Sequence, residues 1–194
     1  MQNKLHQSYK TIADLLNAFI ADQGEIDKTA EASRLIAETF QKGGKGLSAG
    51  NGGSLCDALH FAEEFTGRFQ KDRSPLPVIA LADPTHLTCV GNDYGFDHIF
   101  SRGVEAFGQP GDFFLGLSTS GNSENIIKAV RKAREKGLKV ILMLGKDGGK
   151  LAGQADIEFI IPGQTSDRIQ EIHMIILHII IEGVERILFP QNYS

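Results

Sequence analysis

The chain has 194 residues, which suits one domain, and its 41% hydrophobic content supplies side chains for one sizeable core. Twenty Lys and Arg against twenty-four Asp and Glu leave a formal charge of −4, which argues against a protein that coats nucleic acid through its phosphates. The two cysteines, Cys56 and Cys89, form neither a C-x-x-C pair nor a disulfide framework, as expected for a reducing compartment.

The first residues, MQNKLHQSYK, lack the apolar core of a signal peptide, so a cytoplasmic protein is expected. Residues 1–42 read as a helical segment. Leu15, Leu16, Phe19 and Ile20 recur at helical spacing, and after a break at Gly24 so do Ala32, Leu35, Ile36 and Phe40. The period then shortens. Strands are predicted at Lys45–Ala49, Pro77–Ala82, Phe113–Ser118, Lys139–Leu144 and Ile157–Ile161, each ending in Gly, Ser, Asn or Asp. Helices are predicted from GNGGS to Arg68, over Ile126–Lys136 and over Thr165–Leu188. Ile172–Val184 is the most apolar stretch, but His173, His178 and Glu182 interrupt it, so no membrane partner is expected. This alternation predicts the α/β class: a three-layer αβα sandwich around a parallel sheet of about five strands, one domain over residues 1–194 with added helices at both ends.

In open parallel sheets ligands collect where strands end and helices begin. Two such junctions are rich in chemistry. Ser48–Ser54 carries three glycines that let backbone approach a ligand, yet matches neither G-x-G-x-x-G nor a Walker A loop, so a dinucleotide or nucleoside triphosphate is not expected. Ser118–Ser123 puts four hydroxyls at a predicted helix N-terminus, which suits either a bound phosphate or an ordinary N-cap. His60 and Glu64 lie four apart on one helix face, as a surface ion pair or as part of a site. On the last helix, His178 lies among isoleucines. Glu171 shares its face, whereas Gln170 is about 80° away. Asn92 and Asp93 in VGNDYGF read as a turn from composition.

Taken in order, GNGGS, HFAEEFTGR, GND, STSGNS and DRIQEIH resemble the sugar isomerase (SIS) domain family, from Phe40 to Leu188, and within it the branch that isomerises heptose phosphates. The resemblance implies a flavodoxin-like fold and an aldose–ketose isomerase that converts sedoheptulose 7-phosphate to D-glycero-D-manno-heptose 7-phosphate. That reaction is the first step of ADP-heptose formation for lipopolysaccharide core. It implies one zinc ion per subunit on His60, Glu64, Gln170 and His178, with Glu64 and His178 as general base and acid. Substrate contacts are implied at Asn51, Gly52, Gly53, Glu64, Asn92, Asp93, Ser118, Thr119, Ser120, Ser123 and Gln170. It further implies a homotetramer with sites between subunits, Arg68 being a candidate interface residue. Ala49 and Leu55 depart from the family pattern, which expects Cys and a polar residue there. Two other readings stay open. A non-catalytic relative binds the replication initiator protein and shares the Ile187-Leu-Phe-Pro tail, but characteristically lacks the Glu and His. A sugar-phosphate-sensing regulator would carry a DNA-binding module, for which residues 1–40 are a poor candidate.

Overall fold

Apolar runs of three to seven residues pair into five parallel strands: β1 (Gly46–Ala49), β2 (Val78–Ala80), β3 (Phe113–Ser118), β4 (Lys139–Gly145) and β5 (Ile157–Ile161). The chain's structure is a computed structural model that describes residues 1–193. The helices are α1 (Gln2–Ala21), α2 (Gln23–Gln41), α3 (Gly53–Thr66), α4 (Pro84–Tyr94), α5 (Ile99–Phe107), α6 (Glu124–Glu135) and α7 (Ser166–Leu188). None is long and apolar enough to cross a membrane among the described residues.

Strand order is β2-β1-β3-β4-β5, the flavodoxin-like arrangement. Both sheet faces are covered, so the central strands are apolar on both sides. Along β3 and β4, Phe113, Leu115, Leu117, Ile141 and Met143 pack towards α2, α3 and α7, while Phe114, Val140, Leu142 and Leu144 pack towards α5 and α6. The result is the three-layer αβα sandwich. Because the chain leaves β1 outward to β2 and returns inward to β3, the strand order reverses between β1 and β3. Ligand crevices open there, at the carboxyl ends of the strands.

Some boundaries differ from the sequence expectation. The break between the first two helices lies at Asp22, not Gly24, because the Asp22 carboxylate accepts the Gly24 N–H at 2.8 Å and caps α2. The strand expected over 77–82 shortens to Val78–Ala80. Asn92 and Asp93 are not in a turn; they end α4. That helix is started by Asp83, whose side chain accepts the His86 N–H at 2.8 Å, and by Pro84 at its first position. These are legible start signals, masked by the turn-like composition of GNDYG.

Candidate active site

α3 begins immediately after β1 and is set tightly against α7. A Cβ on Gly53 would come within 2.6 Å of Gln170 Oε1, so the Gln170 amide lies directly against the first turn of α3. Ala58, Phe61, Ala62 and Phe65 bury one face of α3, which leaves His60 and Glu64 on the flank beside α7. On α7, Ile172, Ile176, Leu177, Ile180 and Ile181 are buried, and His178 projects from the edge of that stripe. His60 Nε2 lies 3.0 Å from Glu64 Oε1 and 3.3 Å from His178 Nε2. The two imidazoles meet edge to face at 5.0 Å. Phe69, from the loop after α3, stacks on the other side of His178 at 5.8 Å. Partial burial and then His60 hold His178 below the ordinary imidazole value, against the pull of Glu64, which favours its neutral form.

A single proton on His60 Nε2 can serve both neighbours, leaving lone pairs on Glu64 and His178 that point to the same small volume. One ligand atom from each of the three residues lies within 4.8 Å of the others. Two imidazole nitrogens and one carboxylate oxygen form a donor set that fits a divalent metal ion. Gln170 stands apart from this trio: its amide nitrogen donates to Ser54 Oγ at 3.2 Å, near the start of α3. Glu171, the partner for His178 that helix geometry favours, pairs with Arg168 at 3.0 Å instead.

The second junction closes over the end of β3. Ser118 Oγ donates to Ser123 Oγ at 3.1 Å, and Ser120 Oγ accepts the Asn122 N–H at 3.2 Å. Ser123 occupies the N-cap of α6 but makes no side-chain cap bond, so the ordinary N-cap alternative is not what its hydroxyl does. Gly121, with φ +62°, presses on the Gly148 carbonyl, which seats this loop against the one after β4. Thr119 Oγ1 reaches Ser166 Oγ at 2.9 Å, so the first turn of α7 joins the hydroxyl cluster. Asn51 and Asn125 exchange two amide hydrogen bonds of 2.9 and 2.8 Å and tie the two loops together. Helix N-termini, hydroxyls and amide groups at one crevice can take up a phosphate and the hydroxyls of a sugar.

Asn92 and Asp93 are exposed on α4, where Asn92 Nδ2 donates to Asp93 Oδ1 at 2.7 Å. Gly52 and Arg68 are exposed as well. Sequence reasoning passed over four groups: Ser166, Asn125, Phe69 and Asp57. Asp57 lies one turn before His60, and burial lifts its carboxyl to about 6 against the opposing pull of His60. Its Oδ2 has no hydrogen-bond partner. Its spacing, three before His60 and seven before Glu64, was the available signal.

The SIS domain family model matches residues 7–145. A phosphoheptose isomerase of Fusobacterium nucleatum is 62% identical over 189 residues, covering 97% of each chain. Among solved structures, a phosphoheptose isomerase from Neisseria gonorrhoeae superposes with a TM-score of 0.89 at 37% identity, over 95% of this chain and 98% of that one. The phosphoheptose isomerase from Francisella tularensis gives 0.85 at 35% identity, over 95% and 96%. The chain therefore belongs to the phosphoheptose isomerases of the SIS domain family.

Proposed function

We propose that this enzyme converts sedoheptulose 7-phosphate to D-glycero-D-manno-heptose 7-phosphate through an enediol. The observation that carries the reading is the meeting of Glu64 on α3 with His178 on α7 through His60. The phosphate binds to Ser118, Thr119, Ser120 and Ser123 at the start of α6 and does no chemistry; it positions the reacting end. Asn51, Gly52, Gly53, Asn92, Asp93 and Gln170 hold the sugar. Glu64 takes the proton from C1 and returns it to C2. His178 takes the proton from O1 and passes it to O2, so the protons balance over the cycle. A bound zinc ion, one per subunit on His60, Glu64, Gln170 and His178, supplies positive charge for the oxygens of the substrate. Gln170 joins that set by giving up its bond to Ser54.

The whole chain, residues 1–194, acts as a single SIS domain in the cytoplasm, at the first step of ADP-heptose formation for lipopolysaccharide core. It works as a homotetramer, with Arg68 at a subunit contact. Ile20, Ile26 and Ile179 remain 56%, 40% and 50% exposed on the face shared by α1, α2 and α7, an apolar surface that favours burial against another copy. Nothing in the molecule favours a non-catalytic protein that binds the replication initiator, because the Glu and His which that relative lacks are present and adjacent. The test is incubation of the purified chain with sedoheptulose 7-phosphate, with and without chelator, read by NMR. A new aldose signal that chelation suppresses is expected. No aldose from folded, zinc-supplied protein would refute the reading.

A further inference from the structure

The polar loop between α3 and β2 hides an arginine. The Arg73 side chain is 1% exposed, and its partner Glu185, near the end of α7, is fully buried. Arg73 Nε donates to Glu185 Oε1 at 2.7 Å. Nη2 donates to the Glu64 carbonyl at 2.7 Å, and Nη1 donates to the carbonyls of Phe65, Gly67 and Ser74 at 2.6, 3.1 and 3.3 Å. The other Glu185 oxygen accepts from Tyr193 Oη at 2.6 Å. A buried guanidinium is tolerated only when its fork is filled in this way, and a lysine ammonium cannot fill it.

The acceptors are informative. Glu64, Phe65 and Gly67 supply carbonyls at the carboxyl end of α3, so the cation caps the helix that carries His60 and Glu64, through the backbone of Glu64 itself. Glu185 is seven residues beyond His178 on α7, which puts the two within about 20° of one helix face. Between Gly67 and Arg73 the same loop carries Phe69, the ring stacked on His178. One ion pair therefore fastens the end of α3, the loop behind His178 and the helix bearing His178.

We propose that Arg73 and Glu185 are positioning residues for the isomerisation: their pairing sets the Glu64 carboxylate and the His178 imidazole at their working separation. The proposal rests on the assignment of Glu64 and His178 as the proton-transfer pair. Neither residue reaches the reacting atoms, so their removal acts through geometry. A misplacement of about 1 Å costs on the order of 10²-fold in rate.

Arg73→Lys and Glu185→Gln are compared with wild type and with Ile141→Val, a control that loosens the core on β4. If the single variants do not fold, the double variant Arg73→Met/Glu185→Gln removes both charges together and carries the same expectation. Thermal melts, kcat and KM are measured well below the melting temperature, with hydrogen exchange of the peptide spanning residues 61–67. The expected result is a kcat loss on the order of 10²-fold with KM held within about threefold, because the phosphate loop is untouched. Faster exchange at 61–67 accompanies it, and Ile141→Val keeps its kcat. Arg73 and Glu185 variants that lose melting temperature but keep kcat would overturn the proposal, since the pair would then serve stability alone. A wild type that forms no aldose overturns the functional reading and this proposal with it, a failure that the wild-type arm alone identifies.

Discussion

At the amino ends of the strands, Asp112 accepts from the Gln109 and Lys45 N–H groups, each at 2.9 Å, and from the Lys45 ammonium at 2.6 Å. Asp156 likewise takes the Val140 N–H and the Lys139 ammonium, and despite partial burial these hold it below the ordinary carboxylate value. On α3, along the flank of the same sheet, Asp57 keeps an unpartnered oxygen and a raised pKa, and His60, Glu64 and His178 bring ligand atoms within 4.8 Å of one another between α3 and α7. The switch-point crevice opens at the carboxyl ends of the strands, where α3 and α7 begin. Polar groups are thus spent on the fold at the amino ends of the strands and left available for ligand between α3 and α7. That difference separates a structural carboxylate from a functional one better than burial does, since Asp112 is the more buried of the two.

The comparison breaks most visibly at Glu64. Glu64→Gln should keep the circular dichroism and melting curve of the parent and lose about 10²–10⁴-fold in kcat, because an amide accepts no carbon-bound proton at pH 7. Next come Ser120→Ala and Ser123→Ala. Each should raise KM about tenfold while changing kcat far less, since a hydrogen bond to a bound phosphate persists from ground state to transition state. Unchanged KM in both would return that loop to a purely structural role.

His173, beside the carboxyl end of β4, gives a pH test. It is fully buried with Nε2 at 2.8 Å from the Leu144 carbonyl, and burial pulls its pKa down to about 4, against the opposing pull of that bond. Its ordinary value is 6.5. Between these values the unfolded chain binds a proton that the folded chain refuses, so stability falls as pH drops through the window. The loss should reach about 2 kcal/mol at pH 5 relative to pH 7. Asp57, raised to about 6, acts in the opposite direction over the lower part of that window, so the test is a difference. Urea melts of His173→Gln at pH 7 and pH 5 should show a shallower loss than wild type. The smallest functional effect belongs to the other end of the sheet. Lys45→Met should cost about 1–3 kcal/mol of stability, read by denaturant melts, and leave kcat and KM unchanged.

Much of this was legible in the chain. β3 falls on the residues that its hydrophobic run predicts, because a strand buried on both faces must be continuously apolar, and the edge strand β5 falls on its predicted residues with alternate positions buried. The hydroxyl loop and the His60–Glu64 spacing were equally plain. α4 was hidden because Asn92, Asp93 and Gly95 carry turn propensity that packing overrides. The His60–His178 contact could not be read locally, since 118 residues separate the two. Phe69 and Arg73 sit in RFQKDRSP, whose composition reads as a solvated loop, and only the tertiary structure turns the arginine inward onto Glu185.

The central claim, that Glu64 moves a carbon-bound proton between α3 and α7, is tested most directly by running the reaction in D2O. Sedoheptulose 7-phosphate is incubated with wild type and with Glu64→Gln, and NMR follows hydrogen at substrate C1 and product C2. The account expects aldose carrying deuterium at C2 from wild type, and neither aldose nor C1 exchange from Glu64→Gln. C1 exchange that survives in Glu64→Gln at the wild-type rate would contradict it.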